Sequence, residues 1–332
     1  MNRRRFIAGT IATFATPRAV EAQQPAKVYR VGFILSVSPV SELVGVEPVH
    51  PAAKGFVQGM RALGYIPGQN LVIDWRSAEG RSERHADILG EFVRLNVDVI
   101  VTANDPVAIE ARRFTTTIPI VLGISVDPIA SGLATSLARP GSNVTGLTGS
   151  AGPEMVGKHL QLLKEAAPKI SRVIFLGRKP GWEGAPGQHA RSSAQALDLT
   201  VVHVDSQSGD ISHVLALVAQ QRPNAVLVGS APELFANKER IAAFAISNRL
   251  PAIQYPREFA DAGGLMSYGV DVSDLFRRAA GYVDRIFKGA RPGDLPIEQP
   301  MKFDLVINLR TANAIGLAIT PALRLRADRI IE

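Results

Sequence analysis

The chain has no cysteine in 332 residues. That removes Cys-ligated zinc, iron–sulfur clusters, thiol catalysis and disulfide scaffolds together. Charge of one sign is also scarce. Lys and Arg number 37 against 30 Asp and Glu, and the excess falls to +4 once residues 1–22, with four Arg and one Glu, are set aside. An excess this small, without aromatic residues interleaved in the Arg324, Arg326, Arg329 cluster, gives no footing for nucleic acid. Beyond residue 22 no apolar run approaches the ~18 residues of a membrane span.

Familiar catalytic signatures are missing too. The six His (50, 85, 159, 189, 203, 213) form no i, i+4 pair and no HExxH, so no zinc site is called for. The loop after the first apolar strand reads Ser36-Val37-Ser38-Pro39, not G-x-G-x-x-G. There is no G-x-x-x-x-G-K-[ST] and no G-x-S-x-G. No local feature therefore asks for a cofactor or for catalysis, and a Ser–His–Asp assembly drawn from distant positions stays open.

The first 22 residues read as an export signal. Arg3-Arg4-Arg5 form a basic start, Phe6 to Thr16 a mildly apolar stretch, and Val20 and Ala22 a small-residue cleavage site after Ala22. Arg3-Arg4-Arg5-Phe6-Ile7, with weak hydrophobicity behind it, fits the twin-arginine route. The stretch is short of the ~20 residues a spanning anchor needs. The mature protein is expected in the periplasm as a monomer.

What remains alternates β-rich runs with amphipathic helices. Strands are expected at 31–35, 71–75, 97–101, 118–122, 173–176, 199–204, 225–228, 252–253, 265–268 and 303–307. Helices fall between them. One, over 51–63, carries Phe56, Met60 and Leu63 at i, i+4, i+7, and one over 273–288 is apolar on a single face. The segment 177–187 reads as a Gly/Pro loop. Pro140-Gly141-Ser142-Asn143 interrupts the alternation and marks a crossing between domains. The fold class is α/β: two Rossmann-like lobes with parallel sheets joined by a hinge. Lobe 1 is assigned 28–146 with about 270–290, lobe 2 is assigned 147–269, and the tail 291–332 is left to either. Ligands of such sheets bind at the C-terminal strand ends, here in the cleft between lobes.

Polar residues recur in those strand-end loops: Ser36, Ser38, Thr102, Asn104, Ser125, Asp127, Arg178, Trp182, Ser230 and Tyr255. Asp105-Pro106 and Asp127-Pro128 each open a helix, with Asp as N-cap and Pro at N1. Free amides at those starts, with the hydroxyls, would favour a ligand carboxylate. The aspartates are equally plain caps and, as anions, would oppose one. Arg178 could clamp a carboxylate or stay solvated, and Trp182 could stack on a ligand or cover the base of its loop. Tyr255 could serve hinge packing instead.

Several phrases together resemble a known family. They are Ile118-Pro119-Ile120-Val121, Asp127-Pro128 with Gly132-Leu133, Ala138 to Gly146, Gly263 to Gly269, Asp274 to Ala280, and Gln299-Pro300 with Phe303 to Leu309. The chain is similar, over its whole mature length, to the ABC-transporter substrate-binding proteins of the tryptophan-binding-protein-like group. The resemblance implies a type I periplasmic binding protein fold with about three crossings. It also implies a small solute, an amino acid or organic anion, handed to a permease in the inner membrane. Relatives commonly carry Gly-Thr-Pro-Ala where this chain has Ala103-Asn104-Asp105-Pro106. An exported sensor for a signalling partner and a two-lobed cleft enzyme are the rival readings.

Overall fold

In a computed structural model, residues 27–149 and 152–332 are described; the expected export signal over 1–22 lies outside them. The strands are β1 (Tyr29–Leu35), β2 (Leu71–Ser77), β3 (Val99–Thr102), β4 (Ile120–Ser125), β5 (Val144–Thr148), β6 (Arg172–Gly177), β7 (Thr200–Asp205), β8 (Ala225–Val228), β9 (Ala252–Gln254), β10 (Met266–Gly269), β11 (Asp304–Asn308) and β12 (Arg329–Ile331). The expected α/β class with two sheets is present. One sheet has the order β2-β1-β3-β4-β5, the other β12-β11-β10-β9-β8-β6-β7. Every described pairing is parallel except β10 with β11.

Parallel strands covered on both faces need apolar side chains on both. Along β1, Val31, Phe33 and Leu35 enter one core cluster and Ile34 enters another, as a two-residue pleat requires. Along β6, Val173 and Phe175 separate from Ile174 and Leu176 in the same way.

The helix Pro51–Ala62 packs against the helix Val272–Phe287 across Gly55 and Gly59. A Cβ on Gly55 would stand 2.0 Å from the Ser273 carbonyl oxygen, so the two backbones meet where no side chain fits. This contact brings a helix from the far end of the chain onto the first sheet. The tail then divides. Residues 291–298 run along β5, where Ile297 is buried and its amide bonds the Leu137 carbonyl at 2.7 Å. Beyond them β11 and β12 complete the second sheet.

Three local expectations need correction. The segment 177–187 is mostly helical, with helices over Lys179–Glu183 and Ala185–Ala196, each opened by a proline near its first residue. The helix after β3 is capped by Asn104, not Asp105: Asn104 has extended backbone, and its Oδ1 accepts the Val107 amide at 3.0 Å. Asp105 is the first helical residue. The tail holds two strands where one was expected, because β12 is only three residues at a sheet edge.

Candidate functional site

Two adjoining cavities lie between the sheets, at the C-terminal strand ends. The inner one, about 150 Å³, is walled by Val37, Ser38, Ala103 and Ile124 from the first lobe and by Ala231, Phe235, Gln254 and Tyr255 from the second. Phe276 of the returning helix lines it too. The outer one, about 580 Å³, is walled by Glu83, His85, Asp105 and Glu110 facing Arg178 and Pro232. Ser36, Val37, Asn104, Val126, Ser230, Ala231 and Pro232 border both.

The expected residues separate on this frame. Ser36, Asn104 and Ser230 sit where the cavities meet, and Asn104 Nδ2 donates to Ser36 Oγ at 2.7 Å. Ser38 and Tyr255 line the inner cavity, Arg178 the outer. Thr102 is buried beneath the loop, with its Oγ1 on the Asn104 backbone. Ser125 is buried as well, and its hydroxyl has no partner among the described residues. Asp127 is exposed and, where a helix start was expected, caps only a turn, accepting the Ile129 and Ala130 amides at 3.1 and 2.9 Å. Trp182 lines neither cavity. Its ring stacks on His203, centroids 5.4 Å apart and 6° from parallel, with Arg191 over it.

The amides expected to be free are occupied. Asp105 Oδ2 accepts the Val126 and Asp127 amides at 3.0 and 3.2 Å, and Asn104 holds Val107. Arg178 is occupied too. Its Nε and Nη2 bond Glu233 at 2.9 and 2.6 Å, and the Ser206 hydroxyl donates to the same carboxylate at 2.7 Å. The Glu233 hydrogen bond raises the Arg178 pKa. Burial pushes Glu233 up, yet bonds from Arg178 and Ser206 outweigh it and hold the carboxyl below its ordinary value.

Several wall residues escaped the sequence. His50 precedes Pro51 and caps the helix, its Nδ1 accepting the Ala52 amide at 3.2 Å. The proton of the neutral ring therefore sits on Nε2. Burial, then the charge of Lys238, lowers its pKa to about 4, so the ring is neutral at pH 7. Its ring lies 5.9 Å from that of Phe235, on the opposite lobe. Gln254 is buried at the end of β9, its Oε1 without a partner among the described residues. A polar residue closing an apolar strand beside Tyr255 was the legible signal for it. Phe235 carried none.

Among the described residues no three His, Asp or Glu side chains converge as metal ligands, and no helix is long and apolar enough to cross a membrane.

Known proteins resemble this chain. A tyrosine-binding protein of Clostridioides difficile is 24% identical over 293 residues, 88% of this chain and 82% of that one. A solved structure of a conserved domain protein from Vibrio cholerae superposes with a TM-score of 0.80 at 26% identity, covering 92% of this chain and all of that one. A Streptococcus pneumoniae ABC domain in complex with L-Trp gives 0.79 at 22% identity, with the same coverage. The fold is that of the two-lobed type I periplasmic binding proteins. Residues 39–331 match the family described as ABC transporter substrate binding protein, and the chain belongs to it.

Proposed function

We propose that this protein is the solute receptor of an ABC uptake system: exported, acting in the periplasm as a monomer, and delivering its ligand to an inner-membrane permease. The carrying observation is a cavity whose walls come from both lobes at their C-terminal strand ends. A ligand that touches both walls favours the closed arrangement and shifts the population toward it. In this reading lobe 1 comprises 28–146 with about 270–290, and lobe 2 comprises 147–269 with the tail strands. The lobes capture the ligand without transforming it.

The ligand is a small amino acid with an apolar side chain. The inner cavity, lined by Val37, Ile124, Phe235 and Phe276, suits that side chain, and the outer one receives its polar end. The relative named for tyrosine and the neighbour holding L-Trp support this. An organic anion is less well served, because Arg178 is already paired with Glu233.

A thermal-shift panel of amino acids and organic acids on the chain from Gln23 onward tests the reading. One or more amino acids should raise the midpoint by several degrees at millimolar concentration. No shift across the panel, with turnover of some substrate, would replace the receptor with an enzyme.

A further inference from the structure

We infer that closing the cleft drives a proton off His50, so that acid opens the lobes and loosens their hold on the ligand. The inference rests on the receptor reading and adds a control on the same cleft.

His50 stands at the start of the helix Pro51–Ala62, on the first lobe, and lines the inner cavity. It is 7% exposed. Part of its cover comes from the other lobe. The Phe235 ring lies 5.9 Å from the imidazole, centroid to centroid, and Lys238 Nζ stands 4.9 Å from the centroid of that same Phe235 ring. Both residues sit on helices that follow β8, Pro232–Ala236 and Lys238–Ser247. An aromatic ring and a cation from one lobe thus meet an imidazole on the other.

Both neighbours disfavour a charged imidazole. The ring takes water away and the ammonium repels. Burial first, then Lys238, accounts for the lowering already noted. No carboxylate answers it: among the described residues the inner cavity has no Asp or Glu in its wall. Glu83, Asp105, Glu110 and the neutral His85 line the outer cavity, where Arg178 is matched by Glu233. Glu239 pairs with Lys238 at 3.0 Å, and Glu42 accepts the His50 amide through its backbone carbonyl. The bond from the Ala52 amide to Nδ1 involves one lobe only, so it survives their separation. Separation removes Phe235 and Lys238, and the ring regains water and moves back toward its ordinary 6.5. The open form therefore takes up the proton first. Between about 6.5 and 4, closure must release it, so acid favours the open form.

L-Phenylalanine is the first probe. If it does not bind, the amino acid that most raises the thermal midpoint replaces it, histidine aside, because its own side chain titrates in this range. Isothermal titration on the chain from Gln23 onward should give a Kd roughly three- to tenfold weaker at pH 5.5 than at pH 7.5. Repeated in two buffers of different ionisation enthalpy, it should count roughly half a proton or more released per ligand at pH 5.5, and almost none at pH 7.5. His50→Asn takes up no proton and keeps a helix cap. Whatever it does to affinity at pH 7.5, it should bring both the fall and the release close to zero. A wild-type affinity that ignores pH, or binding that releases no proton at pH 5.5, overturns the inference and leaves the receptor standing. That result decides even if the variant does not fold. A folded variant that keeps the wild-type fall places the proton on another group, such as His85 or Glu258, and overturns the inference too. If no amino acid of the panel binds, the receptor reading falls and takes this inference with it.

Discussion

At the scale of single residues, burial moves three titrations in opposite directions. Glu258 follows the end of β9, and one of its oxygens is buried without a partner among the described residues. Burial, aided by the nearby Asp271, pushes its pKa up to about 7 despite its own backbone amide and Arg257. Between about 4.5 and 7 the folded chain holds a proton that the unfolded chain releases, so this residue's contribution to stability declines as pH rises through that window. Glu258→Gln should therefore be more stable than wild type at pH 8, by up to about 3 kcal/mol, and nearly equal to it at pH 5. Urea unfolding at the two pH values measures this. Imidazoles act the other way. His159, buried and bonded to the Tyr268 carbonyl at 2.6 Å, has its pKa lowered by burial to about 4, as has His50. The unfolded chain takes up these protons first, near 6.5, so stability falls as pH drops from about 6.5 to 4. Each site contributes about 3 kcal/mol to that fall, and His159→Leu should flatten the slope by one such share, whatever it does to stability at pH 7. Asp105 shows what was legible at this scale. Asp-Pro announced a helix start in the sequence, but proline is accepted at the first or second helical position, so the dipeptide did not say which residue caps. The partner that occupies Arg178 lies 55 residues further on, and no local pattern reports it.

At the scale of elements, one helix pair ties the chain's end to its beginning. Alanine at Gly55 must push the helices apart, since its Cβ would meet the Ser273 backbone at 2.0 Å. Gly55→Ala should lower stability by about 1–3 kcal/mol or more, the usual range for overpacking. Gly281, on the same returning helix, has nothing within 4 Å of an added Cβ. Gly281→Ala should raise stability by up to about 1 kcal/mol through helix propensity. Chemical denaturation of the two variants side by side tests both signs. The element plan was readable because buried parallel strands leave nearly unbroken apolar runs, such as Val97 to Val101 and Ala225 to Val228. It failed where length or composition withheld the signal. β12 carries Arg329 and spans three residues, and the helix Lys179–Glu183 hides in a sequence rich in glycine and proline.

At the scale of the whole molecule, the prediction is a change of shape. The ligand that raises the thermal midpoint should also reduce the radius of gyration in small-angle scattering, because both walls of the cavity must approach it. An unchanged radius at saturation would point to a rigid pocket. That two α/β halves face each other was visible in the alternation of strands and helices. How the last forty residues divide between them was not, because Ile297 and Leu305 to Ile307 of β11 are alike apolar and only packing distinguishes their destinations. That division has a consequence for how the molecule is made. Residues 291–298 fasten to one sheet and residues 304–331 complete the other, so neither half is an unbroken stretch of chain. As the polypeptide leaves the ribosome, both halves wait on its final fifth, and a chain released early would leave two unfinished edges rather than one finished lobe.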